Sequence, residues 1–192
     1  ISDTDEMNNR LSWSRSPSRT VQSLGTSLDL SHDADSYNLT GRLNYTNYRF
    51  ELGLIQDFVF YDDSSGDREN ISRFTFGTAL AFADGRFGWS RPINNSFVLV
   101  APHRNWQDQT IQVNPSNDGA LALVDTWGTA VLPDLRPYYV SEVRLNAPDS
   151  PLGYDLGENQ FTVLPSYRSG TLIRAGTDAS VLIRGILVDT TE

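Results

Sequence analysis

The stretch Ser36-Tyr-Asn-Leu-Thr-Gly-Arg-Leu-Asn-Tyr45 alternates apolar and polar residues with a period of two. The odd positions are aromatic or aliphatic around one glycine: Tyr37, Leu39, Gly41, Leu43 and Tyr45. The even positions are small, polar or charged: Ser36, Asn38, Thr40, Arg42 and Asn44. Successive side chains of a β-strand point to opposite faces, so this pattern predicts a strand with one apolar and one polar face.

The same alternation continues on both sides of this stretch. Residues 24–31 alternate before it, and residues 48–54 alternate after a tight turn predicted at Thr46-Asn47. Further on, Phe74 and Phe76 begin an aromatic face that continues to residue 82, opposite small residues. Asp84-Gly85 is a strong local signal for a hairpin. The first half of the chain is therefore predicted to be antiparallel strands, preceded by a loop over residues 1–10.

Composition supports an all-β protein and excludes several functions. Aromatic residues make up 11% of the 192 residues, and the chain carries 14 glycines and 9 prolines, which suits many strands and turns. The formal net charge of -9 argues against a nucleic-acid surface, because phosphate binding needs clustered cations. The chain has no cysteine, so disulfides and thiolate chemistry are excluded.

Two architectures fit the alternating strands. In a transmembrane β-barrel the apolar residues face lipid and the polar residues face a hydrated lumen. The strands approach the roughly ten residues that a tilted strand needs to cross a bilayer. Tyr37 and Tyr45 bracket the strand as interfacial aromatics would. Long connections at residues 32–35 and 61–70 alternate with short ones at Thr46-Asn47 and Asp84-Gly85, as in outer-membrane barrels.

The barrel interpretation assigns a role to each face. The residues predicted to face lipid are Tyr37, Leu39, Leu43, Tyr45, Phe74 and Phe76. The residues predicted to line the pore are Asn38, Thr40, Arg42 and Asn44. In the alternative, a soluble β-sandwich adhesion or binding module, the same aromatic side chains are instead buried in a core.

No residue pattern predicts a catalytic, cofactor or metal site. His32 and His103, the two histidines, have no partner at metal-ligand spacing. The acidic loop with Asp62, Asp63, Asp67 and Glu69 lacks the order of a calcium-binding loop, so a solvated loop is the default. The chain is therefore predicted not to be an enzyme. A carbohydrate-active β-sandwich enzyme stays open as a third alternative, because the spacing of two carboxylates is a property of the fold.

Residues 125–139, Asp-Thr-Trp-Gly-Thr-Ala-Val-Leu-Pro-Asp-Leu-Arg-Pro-Tyr-Tyr, predict a turn followed by a short strand. Asp125 can accept a hydrogen bond within a tight turn, and Gly128 can adopt the positive φ that such turns often need. Pro133 must end the strand or lie at a sheet edge. Further short strands are predicted at residues 121–124, 142–145, 161–164, 172–174 and 181–188.

The segment from residue 78 to residue 192 resembles the outer-membrane ushers of the chaperone–usher pilus pathway. The resemblance rests on the order and spacing of several motifs: Ala83-Asp84-Gly85, Ser90-Arg91-Pro92-Ile93, Phe97-Val98-Leu99-Val100, the Asp125-x-x-Gly128-x-Ala130-Val131-Leu132-Pro133-x-Leu135-x-Pro137-Tyr138 run, Val143-x-Leu145, Tyr154-Asp155-Leu156, Val163-x-Pro165 and Gly170. Trp127, Ser141 and Asn146 depart from the usual pattern. These departures suggest a divergent branch similar to the archaic or alternative ushers.

The resemblance implies a protein of the bacterial outer membrane that assembles and secretes pilus subunits without nucleotide hydrolysis. Its expected partners are periplasmic chaperone–subunit complexes and outer-membrane lipid. Residues 11–179 would form the carboxy-terminal part of the barrel, and residues 180–192 would begin the first carboxy-terminal periplasmic domain, a β-sandwich. We expect the chain to be a fragment of a larger protein, because an open barrel leaves sheet edges unpaired in lipid.

Overall fold

A computed structural model of the chain describes residues 9–17, 21–33, 35–62, 67–151 and 156–177. Within these residues the structure consists of β-strands and one 3₁₀ turn, which confirms the prediction of an all-β protein. The chain divides into two compact units, Ile1–Ala79 and Leu80–Glu192. Each unit is described by itself below.

The first unit is an antiparallel meander of long strands. They are β1 (Asn9–Arg15), β2 (Ser23–Asp33), β3 (Ser36–Thr46), β4 (Phe50–Tyr61) and the first part of β5 (Arg68–Ala83). Each strand pairs with the next in sequence, and the sheet is open, with β1 at one edge. The pairing confirms the strands predicted from residues 24–54 and 74–82.

The connections differ in detail from the predictions. The Asn47 N–H donates to the Phe50 carbonyl over 2.8 Å, so the reversal after β3 lies at residues 48–49 rather than at Thr46-Asn47. β4 runs to Tyr61 and β5 starts at Arg68, so the acidic loop is shorter than predicted. β1 begins at Asn9, within the segment predicted as a loop. Residues 1–8 lie outside the described part of the chain.

The second unit contains shorter strands. The end of β5 turns at Asp84 and Gly85, whose φ values of 47° and 76° are those of a type I′ hairpin turn. The remaining elements follow in order: β6 (Arg86–Ser90), β7 (Ser96–Pro102), a 3₁₀ turn (Arg104–Trp106), β8 (Ile111–Val113), β9 (Ala122–Val124), β10 (Ala130–Leu135), β11 (Ser141–Asn146), β12 (Gln160–Val163) and β13 (Gly170–Ala175). The turn at Asp84-Gly85 was predicted, but β8 was not.

Two sheets enclose the core of the second unit. One has the strand order β10-β7-β13, with β7 antiparallel to β10 and parallel to β13, and the other has the order β12-β11-β8-β9. Apolar side chains from both sheets form one buried cluster: Val98, Val100, Trp106, Ile111, Val113, Ala122, Val124, Ala130, Leu132, Leu135, Val143, Leu145, Leu156, Val163, Ile173 and Ala175. The arrangement is typical of a β-sandwich.

β7 is buried on both of its faces. Val98 and Val100 lie in the main core, whereas Leu99 packs with Ala81, Ala83 and Val131 on the opposite side. A strand that is covered on both faces needs apolar residues at consecutive positions rather than at alternate ones. This explains why residues 97–100 form a continuous apolar run in a chain that otherwise alternates.

The structure confirms the predicted turn and strand at residues 125–139. The Asp125 carboxylate accepts a 2.9 Å hydrogen bond from the Trp127 N–H, and Gly128 adopts a φ of 94°. β10 lies at a sheet edge, and its pairing with β7 shifts register around Pro133. The strand predicted at residues 181–188 and the domain change predicted at residue 180 lie outside the described residues.

Candidate functional site

The strand register of the first unit places all six residues predicted to face lipid on one side of the sheet. Tyr37, Leu39, Leu43 and Tyr45 share a face of β3, and Leu43 and Tyr45 lie opposite Leu54 and Leu52 of β4. Those two leucines lie opposite Phe74 and Phe76 of β5. We call this side the apolar face; its other apolar members are Leu11, Trp13, Leu24, Leu28, Leu30, Phe50, Phe58 and Phe60.

Many side chains of the apolar face are exposed. Leu11, Phe74 and Phe76 retain 71%, 69% and 54% of their accessible surface. Exposed apolar side chains occur on each of the strands β1 to β5, so the patch extends across the unit. Soluble monomers rarely expose a contiguous apolar patch of more than a few hundred Å². A surface of this kind needs an apolar partner.

Aromatic side chains lie at both ends of the apolar face. At the end near residues 34–35, the rings of His32 and Tyr37 are stacked with centroids 4.0 Å apart, and Phe60 lies opposite Tyr37. At the other end, the centroids of Tyr45 and Phe50 are 5.9 Å apart. Leucines occupy much of the strand length between these two ends. Aromatic rows that flank an aliphatic band are typical of surfaces that meet membrane interfaces.

A polar cluster interrupts the apolar face at the middle of β4. The Gln56 side-chain N–H donates a hydrogen bond to the Asn70 side-chain oxygen. The Gln56 side-chain oxygen Oε1 accepts a 2.6 Å hydrogen bond from the Ser72 hydroxyl. Sequence analysis did not single out these residues. Hydrogen bonds within the cluster lower the cost of placing polar groups in apolar surroundings.

The four residues predicted to line a pore share the opposite side of the sheet, which we call the polar face. Asn38, Thr40, Arg42 and Asn44 occupy the even positions of β3. Beside them, the Asp29 carboxylate of β2 accepts hydrogen bonds from Arg10 at 3.0 Å and from Arg42 at 3.1 Å. This charged ladder joins three neighbouring strands on a side suited to contact with water.

The other candidate residues of the sequence analysis do not converge. No group of three or more His, Asp or Glu residues that could hold a metal ion occurs within the described residues. Tyr61 O–H lies 3.5 Å from a Glu69 carboxylate oxygen, at the limit for a hydrogen bond, and Asp63 of the acidic loop lies outside the described part. His32 and His103 belong to different units.

A further surface in the second unit was missed by sequence analysis. The Tyr138 N–H donates to the Pro165 carbonyl over 2.8 Å, which joins the loops at residues 136–140 and 164–168. Tyr139 lies under the Arg136 guanidinium at 3.7 Å from the ring centre. Tyrosine and arginine are enriched where proteins bind one another, so this tyrosine–arginine surface has the composition of a binding site. Sequence analysis quoted Pro137-Tyr138 and Pro165 within motifs, but nothing in the sequence indicated that these two distant loops meet.

The comparisons with known proteins assign no family. No protein-family model matches the chain, and no curated protein matches it. Among solved structures, the Bacillus anthracis TIE protein superposes with a TM-score of 0.26 at 8% identity. That alignment covers 89% of this chain and 34% of the other, so the chain spans about a third of that protein's length. A similarity this weak carries no argument about fold or function.

Across the described ranges, the structure contains no helix with the length and hydropathy needed to cross a membrane.

Proposed function

We propose that the chain is the carboxy-terminal barrel region of an outer-membrane usher, which translocates and assembles chaperone-delivered pilus subunits. The observation that carries the proposal is the apolar face of the first unit. It spreads over five strands, while the opposite face carries mostly polar and charged residues, together with Ile55, Val59 and Ile71. This division of faces supports strands that lie between lipid and water.

Strand length supports the same proposal. β2 and β3 have 11 residues each and β4 has 12, which matches the roughly 9–11 residues of a tilted membrane-spanning strand. The connection lengths do not add to this argument: β2 ends at Asp33 and β3 begins at Ser36, so the connection predicted to be long at residues 32–35 is a short turn. The usher motifs quoted from residues 78–192 then distinguish an usher from other outer-membrane barrels.

The polar face suits the passage of folded subunits. Asn38, Thr40 and Asn44 are small or medium polar side chains, and the Asp29 carboxylate pairs with both Arg10 and Arg42. A hydrated surface without a large apolar patch gives a passing protein little to adhere to. In this proposal no residue acts as a catalyst.

A labelling experiment tests the orientation of the two faces. Because residues 1–192 contain no cysteine, the adjacent single variants Leu43→Cys and Asn44→Cys give a matched pair in the full-length parent protein, with any cysteine outside these residues replaced by serine. Each is labelled with an environment-sensitive fluorophore in isolated outer membranes. We expect lipid-attached nitroxide to quench the label at position 43, and aqueous iodide to quench the label at position 44. Equal quenching by iodide at both positions would contradict the barrel proposal.

A second experiment separates an usher from another barrel. Deleting the gene of the full-length protein should remove one class of surface pili, and a plasmid copy should restore them. Electron microscopy of the cells counts the pili. If the number of pili is unchanged but the labelling pattern is as expected, the protein is a barrel with a function other than pilus assembly.

The second candidate function is a soluble adhesion or binding module. The observation that favours it is the second unit, which has its own core between two sheets and the tyrosine–arginine surface described above. A soluble module stays monodisperse without detergent, whereas the proposed barrel region requires detergent or lipid. Size-exclusion chromatography of the chain in both conditions distinguishes the two.

A further inference from the structure

A cavity of about 220 Å³ in the second unit is lined by an unusual density of positive charge. Its lining consists of Arg86, Ala101, Pro102, His103, Arg104, Gln107 and Arg174. Three guanidinium groups therefore border one small cavity in a protein whose formal net charge is -9. All fifteen cationic side chains of the chain are arginines, so three of the fifteen are gathered here.

The backbone around this arginine cavity is held by pairing and packing. Arg174 of β13 lies beside Ala101 of β7 in the parallel register, and the His103 N–H donates to the Ala175 carbonyl over 2.8 Å. The 3₁₀ turn that carries Arg104 is anchored by Trp106, whose side chain is fully buried in the core. The arginines consequently project from a fixed frame, which reduces the entropy lost when they bind a ligand.

The charges around the cavity are only partly balanced. Asp84 lies 4.0 Å from Arg174, and both side chains are more than 70% exposed, so this ion pair is weak and accessible to solvent. No carboxylate is among the residues that line the cavity. An anionic ligand would therefore meet an excess of positive charge, with the Gln107 amide as an additional hydrogen-bond donor.

We propose that the arginine cavity binds a phosphate-type oxyanion, either free or as part of a phosphorylated headgroup. Guanidinium groups donate two parallel hydrogen bonds to phosphate oxygens, and several guanidiniums around one cavity match a tetrahedral dianion better than a planar carboxylate. The volume accommodates a phosphate group with ordered water. This inference rests on the second unit alone and holds whether or not the usher proposal does.

Calorimetry of the 192-residue chain in neutral maltoside micelles tests the proposal, with inorganic pyrophosphate as the probe. We expect saturable binding that weakens as salt increases. The variant R104Q/R174Q should lower the affinity at least tenfold. The matched control R73Q/R144Q removes the same amount of charge from exposed arginines outside the cavity lining and should bind as the unmodified chain does. Thermal unfolding of both variants checks that the fold is retained.

A second pair of titrations identifies the source of the phosphate. Dihexanoyl phosphatidic acid in the same micelles is compared with dihexanoyl phosphatidylcholine. Preference for phosphatidic acid over pyrophosphate indicates a lipid headgroup, whereas preference for pyrophosphate indicates a soluble anion. Absence of binding to both phosphate probes, or an equal loss in R104Q/R174Q and R73Q/R144Q, would overturn the proposal.

Discussion

Gly176 lies against the indole of Trp106, so closely that a Cβ atom at position 176 would fall 2.3 Å from Trp106 Cδ1. Its φ of 91° also belongs to a region that side chains other than glycine rarely adopt. Trp106 is fully buried and cannot move aside without disturbing the core. The contact couples the end of β13 to the 3₁₀ turn.

Gly176→Ala should therefore destabilise the second unit by about 3 kcal/mol, from overpacking and from backbone strain together. Thermal unfolding followed by tryptophan fluorescence measures the change. Gly85→Ala is the matched control, because Gly85 also has a positive φ, of 76°, but no atom lies within 4 Å of the added Cβ. It should cost only about 1 kcal/mol. Equal losses in the two variants would contradict the steric explanation.

Gly88 of β6 makes a different close contact. A Cβ at this position would lie 2.5 Å from Val131 Cγ2 and 2.8 Å from Leu99 Cδ2. Gly88→Ala should cost about 1–3 kcal/mol through overpacking. Adding Val131→Ala should recover part of that loss, because it removes the clashing methyl group. Denaturant unfolding of the single and double variants measures the coupling, and strictly additive losses would contradict it.

The turn at Asp125 offers a test of a single hydrogen bond. Asp125→Ala removes the acceptor of the 2.9 Å bond from the Trp127 N–H and should cost about 1 kcal/mol. Asp125→Asn keeps an oxygen at the same position and should cost less than half as much. Thermal unfolding compares the two variants. A larger loss for asparagine would show that charge, not the hydrogen bond, matters at this turn.

An arginine on each face tests the barrel proposal energetically. Leu43→Arg places a charge on the apolar face and should cost about 2–4 kcal/mol if that position lies near the bilayer centre. Thr40→Arg places the same charge on the polar face, where position 40 lies opposite Asp29 and Asp57 in the strand register. We expect this substitution to be tolerated. The folded fraction of the full-length parent, measured from its heat-modifiable gel mobility, reports the difference. Equal folded fractions for the two variants would contradict the barrel proposal, because they would indicate that both faces of the sheet have the same surroundings.

Period-two alternation was enough to predict the two faces of the first unit. Residues 37–45 alternate without interruption, so the division of their side chains between two faces followed from the sequence. Their register against β4 did not, because the reversal lies at residues 48–49 and not at Thr46-Asn47. β1 was not predicted because Leu11 and Trp13 are its only large apolar residues, and two positions beside a polar amino-terminal segment are too few to show a period of two. The turn at Asp125 and Gly128 was predicted because its chemistry is local.

Features that depend on long-range pairing could not be predicted. The continuous run at residues 97–100 is typical of a strand covered on both faces, but it does not indicate which elements cover β7, nor that β13 pairs with it in parallel. The arginine cavity depends on that pairing, since Arg86, Arg104 and Arg174 are scattered along the sequence. The polar cluster around Gln56 was missed for a similar reason, because its partners belong to the next strand.

The parallel pairing of β7 with β13 also has a consequence for biosynthesis. Ser96 and Ser166 are joined by a hydrogen bond although they are 70 residues apart, and the parallel pairing of β7 with β13 begins just beyond them. Contacts of such sequence separation slow folding, because a long loop must close before they form. While the chain is being synthesised, β7 presents an unpaired edge until β13 has emerged. We therefore expect the second unit to be prone to aggregation during that interval, and to mature no faster than this late pairing allows.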